Sequence, residues 1–460
     1  MRDRIKIYAN RKKRDTMVKK GWQESAKFWG ILEVVVMRSF LQFLKNEMVL
    51  TLATVLAILS AFLIPPDAEY VGYVDFRTLG LLFCLMAVMG GFQRLGFFRK
   101  IAQGMLRKVG TESTRVILVL VFLAFFFSML ITNDVGLITF VPFTFTVLEL
   151  LGEDVRDRLV IPVVVLETIG ANLGSMMTPI GNPQNLYLYG KAGLSLGGFL
   201  LLMLPLTALS GIMLMIWAVM VGKRRGAKGK LADKSDEGKP QKQSITEEGM
   251  LRQNTVVGEN VKENLDSAFA QKEAESSGVT GKKKTFLLSL YGALFLLSLL
   301  TVAKVLPFEV TLGITLACVG IFDRKTLKKV DYFLLLTFIA FFVFIGNMGR
   351  VPIFANFLAG IVDGREVPVA ILSSQVISNV PAALLLSGFS QNDKALIVGV
   401  NLGSMGTLIA SMASLISYKY VARLVPDQKG KYLGYFTVTG LCFLAVLLMG
   451  YYGMKLLGVY

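Results

Sequence analysis

Apolar residues run along this chain in blocks of about 17 to 25, separated by short charged or glycine-rich breaks. That is the length a helix rising about 1.5 Å per residue needs to cross a bilayer. Blocks at 48–64, 78–93, 199–221, 285–303 and 432–454 predict spanning helices, and 308–322 and 331–348 extend the series. Segments 22–44, with Glu33 and Arg38 among apolar neighbours, and 95–110 predict interfacial helices instead.

Two kinds of segment break this pattern. The stretch 159–189 is long for one straight span and holds Gly170, Gly174, Pro179, Gly181 and Pro183, so it predicts a helix that unwinds near its middle. Its counterpart, 394–420, holds Gly399, Gly403 and Gly406 before Thr407, Ser411 and Ser414. Segments 115–150 and 368–389 each set a polar tip, Thr132-Asn133-Asp134 and Ser378-Asn379, between two apolar arms. The arms of the second are too short to span and predict a re-entrant hairpin. Those of the first suit a hairpin or two full spans, and both return the chain to the side it left.

Hydrophobic residues make up 54% of the 460 positions and charged residues 18%, more apolar surface than a soluble core of this length needs. The lipid bilayer is therefore the first partner implied. A formal charge of +17 does not call for nucleic acid, because the basic residues sit in the arm 1–20 and in short loops beside apolar blocks. With the arm in the cytoplasm, Arg94, Arg99, Lys100, Arg107 and Lys108 share one side with Lys223, Arg224, Arg225, Arg324, Lys325, Lys328, Lys329, Lys419 and Arg423. The carboxyl terminus then lies outside a cell membrane crossed many times. The arm lacks the apolar core and cleavage site of a signal peptide.

The organisation expected is a basic cytoplasmic arm and interfacial helix (1–47), a first transmembrane repeat (48–221), a polar cytoplasmic linker (222–284), and a linking span with a second repeat (285–460). A small regulatory helix within 244–274 is an option inside the linker. Cys84, Cys318 and Cys442 lie in separate apolar blocks, and the chain has no histidine. Imidazole metal sites, histidine triads and histidine proton relays are thereby excluded. No cofactor, no metal beyond sodium and no catalytic constellation is expected.

The two halves share a motif. ANLGSMMTPIGNPQNL at 171–186 aligns without gaps on VNLGSMGTLIASMASL at 400–415, with an offset of 401 − 172 = 229. Upstream, VDF at 74–76 echoes VDY at 330–332, and ITND at 131–134 echoes ISNV at 377–380. By the charge-based topology the two long segments run in opposite directions. The fold class expected is thus an all-α polytopic membrane protein of two inverted repeats, each with a re-entrant hairpin and a broken transmembrane helix.

Unwound backbone at membrane depth persists only where it is buried in protein or lines a wet cavity, and its freed carbonyls and amides suit ions and polar solutes. The alternative is a kinked helix whose polar residues bond neighbouring helices. Candidate substrate-binding residues are Thr132, Asn133, Thr178, Asn182, Pro183, Asn185, Ser378, Asn379, Thr407 and Ser411. Candidate ion-coupling residues are Asp134, Glu167, Asn172, Gly174, Asn401 and Gly403. Asp134 marks an ion path if its tip is deep and is a solvated turn residue if the tip is at the surface. Glu167 is either a coupling carboxylate or one satisfied by a single hydroxyl or amide.

On these tips and breaks the chain resembles the ion transporter superfamily, in its citrate/dicarboxylate transporter-like and arsenite permease branch. The resemblance implies that Thr132-Asn133-Asp134 and Ser378-Asn379-Val380 are hairpin tips and that Gly181-Asn182-Pro183-Gln184-Asn185 is the first break, together forming substrate and sodium sites. It also implies a homodimer and elevator-like motion. Asp134 and Val380 depart from the small hydroxyl residue of dicarboxylate members, and the second break lacks the Pro-Asn pair.

The function expected is secondary active transport of a small anion, a di- or tricarboxylate such as citrate, coupled to sodium or protons. Arsenite efflux and sodium/proton antiport are the transporter alternatives, and an ion channel is the alternative from another class.

Overall fold

The computed structural model describes residues 47–109, 112–226 and 281–458. The basic arm, the interfacial segment 22–44 and most of the linker, with 244–274, lie outside the described residues. Among those described there are helices and no strands, and the chain is an all-α, multi-pass membrane protein. Seven helices among the described residues are long and apolar enough to cross a membrane.

The first half comprises α1 (Met48–Leu63), a short α2 (Glu69–Tyr73), α3 (Phe76–Arg94), α4 (Phe97–Val109), α5 (Ser113–Phe127), α6 (Asn133–Leu150), α7 (Glu153–Ser175), α8 (Pro183–Lys191) and α9 (Leu196–Val221). The second comprises α10 (Lys282–Val302), α11 (Phe308–Phe322), a short α12 (Arg324–Leu327), α13 (Tyr332–Gly349), α14 (Pro352–Val362), α15 (Glu366–Ile377), α16 (Asn379–Ser387), α17 (Asp393–Leu402), α18 (Met412–Leu424) and α19 (Lys429–Leu456).

One expectation on element bounds needs correction, and two of the expected spans are short. Helices α1 and α11, read as spans, have 16 and 15 residues, and at about 1.5 Å per residue they fall short of an apolar layer of about 30 Å. The first tip is also wider than its three polar residues, because α5 stops at Phe127 and α6 starts at Asn133. Helix α14 was not anticipated. Its apolar run merges with α13 across Arg350, and Ile353 and Phe357 face outward.

Sequence echoes mark paired contacts. Asp75 caps α3 by accepting from the Thr78 amide at 3.0 Å, and Asp331 caps α13 by accepting from Leu334 at 2.9 Å, an offset of 331 − 75 = 256. At the far end of each helix an arginine crosses to the other half. Arg94 pairs with Asp323, and Arg350 pairs with Asp67 at 2.6 Å, with 350 − 94 = 256 and 323 − 67 = 256. The first pair is buried and shared with Tyr291 and Thr326. The second is exposed, in the loop after α1, where the Arg350 hydrogen bond holds the Asp67 carboxyl below its ordinary range.

The core is centred on α7, which is almost wholly enclosed by α5, α6, α9, α18 and α19. Glycine permits this. A Cβ on Gly174 would lie 2.0 Å from the Phe125 carbonyl oxygen and 2.5 Å from Ser128 Oγ on α5. In the second half Gly403 meets Ser374 Oγ at 2.6 Å in the same way, with 403 − 174 = 229 and 374 − 128 = 246.

Candidate functional site

Helix α7 ends at Ser175 and α8 begins at Pro183, leaving 176–182 without helix. Proline suits the first position of a helix, where its missing N–H costs nothing, and Asn182 caps α8 by accepting from the Asn185 amide at 2.9 Å. The carbonyls freed by the break are met by one side chain. Asn185 Nδ2 lies 3.3 to 3.4 Å from the carbonyl oxygens of Ser175, Met176 and Thr178. The first tip docks on the same break, since Thr178 Oγ1 donates to the Met129 carbonyl at 2.5 Å and the Asn133 amide donates to the Gly181 carbonyl at 3.1 Å.

The second break runs from Gly403 to Ser411, between α17 and α18, with one tight turn at Leu408–Ala410. Gln375 of α15 does there what Asn185 does in the first half. Its Nε2 donates to the carbonyls of Gly403 at 2.9 Å and Met405 at 3.0 Å, and its Oε1 accepts from the Thr407 amide at 2.9 Å. Gly406 sits at φ +110°, a conformation side chains rarely adopt.

The two breaks are laced together by their asparagines. Asn172 Oδ1 accepts from Ser411 Oγ at 3.0 Å and from Asn133 Nδ2 at 2.9 Å, while its Nδ2 donates to Ser414 Oγ at 3.2 Å. Asn401 Oδ1 accepts from Asn182 Nδ2 at 3.2 Å, and its Nδ2 donates to Asn185 Oδ1 at 2.6 Å. With 411 − 182 = 229 and 414 − 185 = 229, each asparagine reaches the two positions that its counterpart is reached from. The second half-helices follow this exchange: α8 packs on α16 and α17, and α18 packs on α6 and α7.

Of the residues singled out in sequence, Asn133, Thr178, Asn182, Asn185, Asn172, Asn401 and Ser411 therefore share one network, with Pro183 starting α8 and Gly174 and Gly403 acting in packing. Thr132 stands at the start of α6 without a side-chain capping bond. The side chains of Ser378 and Asn379 are buried and, among the described residues, bond only each other, at 3.4 Å, outside the network. Ser378 lies at φ +73° and borders a small cavity of about 30 Å³ that also touches Glu47, Asp331 and Met412. Asp134 is half-buried, one residue from the network, and within electrostatic reach of Asp331. Burial pushes the Glu47 carboxyl up, Asp331 adds to the effect and Lys419 opposes it.

Glu167 is fully buried away from the network. Its Oε1 accepts from Thr144 on α6, and its Oε2 has no partner among the described residues. Both amide atoms of Gln184 and the hydroxyl of Thr407 are likewise buried and unpartnered. Native interiors pair nearly all such groups, so orphans at both breaks fit a site that receives a polar guest.

Gln375, Ser175 and Asp331 escaped the sequence reading of the site, and Ser414, read there as part of the second break, was not among its candidate binding residues. Ser414 was legible, since it occupies the position of Asn185 under the 229 offset. Gln375 was not, because its role depends on α15 lying against the break. Among the described residues no three His, Cys, Asp or Glu side chains cluster to hold a metal ion.

The citrate transporter family, CitMHS, matches residues 32–392 of this sequence. The chain belongs to that family. An uncharacterized transporter of Methanocaldococcus jannaschii is 31% identical over 75% of this chain and 81% of its own length. The inner membrane protein YbiR of Escherichia coli is 28% identical over 83% of this chain and 89% of its own length. A shorter match, 36% identical over 29% of this chain and 26% of the relative, is to the silicon efflux transporter LSI3 of Oryza sativa. Membership in this family makes the chain a transporter, and the crossed asparagines lie within and just beyond the matched region.

Proposed function

We propose that this family member is a secondary active carrier that moves a small oxygen-rich solute, with a di- or tricarboxylate such as citrate first among the candidates, together with sodium ions or protons. The observation that carries this is the pair of interrupted helices exchanging amide and hydroxyl bonds, with the first tip docked on them. The recurrence of contacts at offsets of 229, 246 and 256 supports two structural repeats. With the basic clusters on one side, those repeats are inverted in the membrane, α5–α6 and α15–α16 are its re-entrant hairpins, and the amino terminus is cytoplasmic.

Among the described residues the network holds no Lys or Arg; Asp134 adjoins Asn133, and Asp331 lies within electrostatic reach of Asp134. An anion entering such a site needs cations to neutralise the carboxylates first, so the coupling ion binds ahead of the substrate. A second reading draws on the same chemistry. A site of amides and hydroxyls beside carboxylates suits a neutral oxyacid, such as arsenous or silicic acid, exported against protons, and the similarity to a silicon efflux transporter favours it.

Thermal unfolding of the purified protein separates the two, because a ligand stabilises the state it binds. Citrate, succinate, malate and sulfate, each with and without sodium, are compared with arsenite and silicic acid. A carboxylate that raises the midpoint only when sodium or acid is present supports the first reading. Stabilisation by a neutral oxyacid alone overturns it in favour of the second, and sodium acting alone points to antiport.

A further inference from the structure

A cavity of about 350 Å³ opens between α3, α4, α6 and α18, within the size range of small-molecule sites. Gln93, Arg99, Thr139, Pro142 and Tyr420 contribute to its wall. Two of these elements lead directly to the candidate site. Thr139 lies five residues past Asp134 on α6, and Tyr420 lies eight past Met412, where the second break ends. Gln93 Nε2 donates to Thr139 Oγ1 at 3.4 Å, tying the end of α3 to the arm of the first tip.

Among the described residues, Arg99 is the one charged side chain in the wall. Gly96 at φ +70° makes the turn that lays α4 beside the cavity and brings Arg99 to it. Among the described residues Arg99 has no carboxylate partner. Arg94, five residues earlier, is bound to Asp323 and is not available to a guest. A half-buried guanidinium with no counterion among the described residues, in a chamber whose other described lining side chains are uncharged, attracts an oxyanion and offers it a bidentate fork.

We propose that this chamber is the first binding station for a carboxylate substrate approaching from the basic side, and that Arg99 is the cation that recruits it. This rests on the anion reading of the function. It also supplies what the inner site lacks: the anion is held beside Arg99 while a cation settles near Asp134, and then moves inward along α6.

Uptake of labelled succinate and citrate into proteoliposomes tests it, with arsenite as the neutral comparison. Arg99→Gln is expected to raise KM for the carboxylates about tenfold and flatten its dependence on ionic strength, with less effect on the saturated rate. Arg99→Lys, which keeps the charge without the fork, falls between the parent and Arg99→Gln. Lys100→Gln, on an exposed neighbour outside the cavity, leaves KM near the parent value. An unchanged KM and salt dependence in Arg99→Gln, in a parent that does carry carboxylates, overturns the chamber and leaves the carrier standing. A parent that carries arsenite and no carboxylate removes the anion reading and the chamber with it. If Arg99→Gln fails to accumulate, the Arg99→Lys kinetics decide: a KM equal to the parent's contradicts the proposed fork.

Discussion

Asn172 meets three partners at once, Asn133, Ser411 and Ser414. Truncating it strands buried polar groups in the first tip and at the second break, and each stranded group costs about 1–3 kcal/mol. Asn172→Ala and Asn401→Ala should therefore lose both transport and several degrees of thermal stability. Asn379 differs, since among the described residues its side chain bonds only the adjacent Ser378. Asn379→Ala is expected to fold like the parent and fail to transport, whereas Asn133→Ala should lose transport and also some stability, because it gives up the bond to Asn172. Thermal unfolding beside uptake distinguishes the two tips. The asparagines were legible because the 229 repeat singled them out, but their crossed pairing was not, since sequence spacing carries no information on which half-helix lies against which. Glu167 poses a separate question. Glu167→Gln keeps an acceptor for Thr144 and removes the titrating group; if Glu167 carries a coupling proton, uptake by this variant loses its pH dependence, and an unaltered pH profile assigns Glu167 to structure alone.

At the scale of elements, close approach and charge pairing decide which substitutions the scaffold tolerates. A methyl group on Gly174 meets a backbone carbonyl at 2.0 Å, while one on Gly403 meets the Ser374 hydroxyl at 2.6 Å, its Cβ at 2.9 Å and the Gly399 carbonyl oxygen at 3.0 Å. Overpacking typically costs about 1–3 kcal/mol, and Gly174→Ala should lie at or above the top of that range, with Gly403→Ala within it and below Gly174→Ala, measured by unfolding midpoint. The two crossing ion pairs also differ. Arg94→Gln leaves Asp323 buried and uncompensated, a loss of about 3 kcal/mol or more, whereas Arg350→Gln breaks an exposed pair whose effect is small and salt-dependent. Because Arg350 depresses the Asp67 carboxyl, that pair's contribution is present above the ordinary carboxylate range and fades as pH falls through it. The apolar blocks predicted most helices, and the glycine- and proline-rich stretches predicted both interruptions. Helix α14 escaped because nothing polar enough separates it from α13 except Arg350, whose partners in the first half are invisible in the sequence.

Over the whole molecule, each half completes the other. The first break's second half-helix packs in the second half, the second break's packs in the first, and each half supplies the arginine that pairs at the other's loop. Such an exchange joins the two breaks in one network, and under the proposed carrier reading that arrangement suits opening first on one side and then on the other. A channel has no such need, because it conducts through an open path. Counterflow in proteoliposomes measures the difference most directly. With unlabelled substrate inside, entry of labelled substrate should be saturable, faster than into empty vesicles, and abolished in Asn172→Ala and Asn401→Ala. Flux that rises without saturation and ignores the substrate inside would contradict a carrier built on two interlocked breaks.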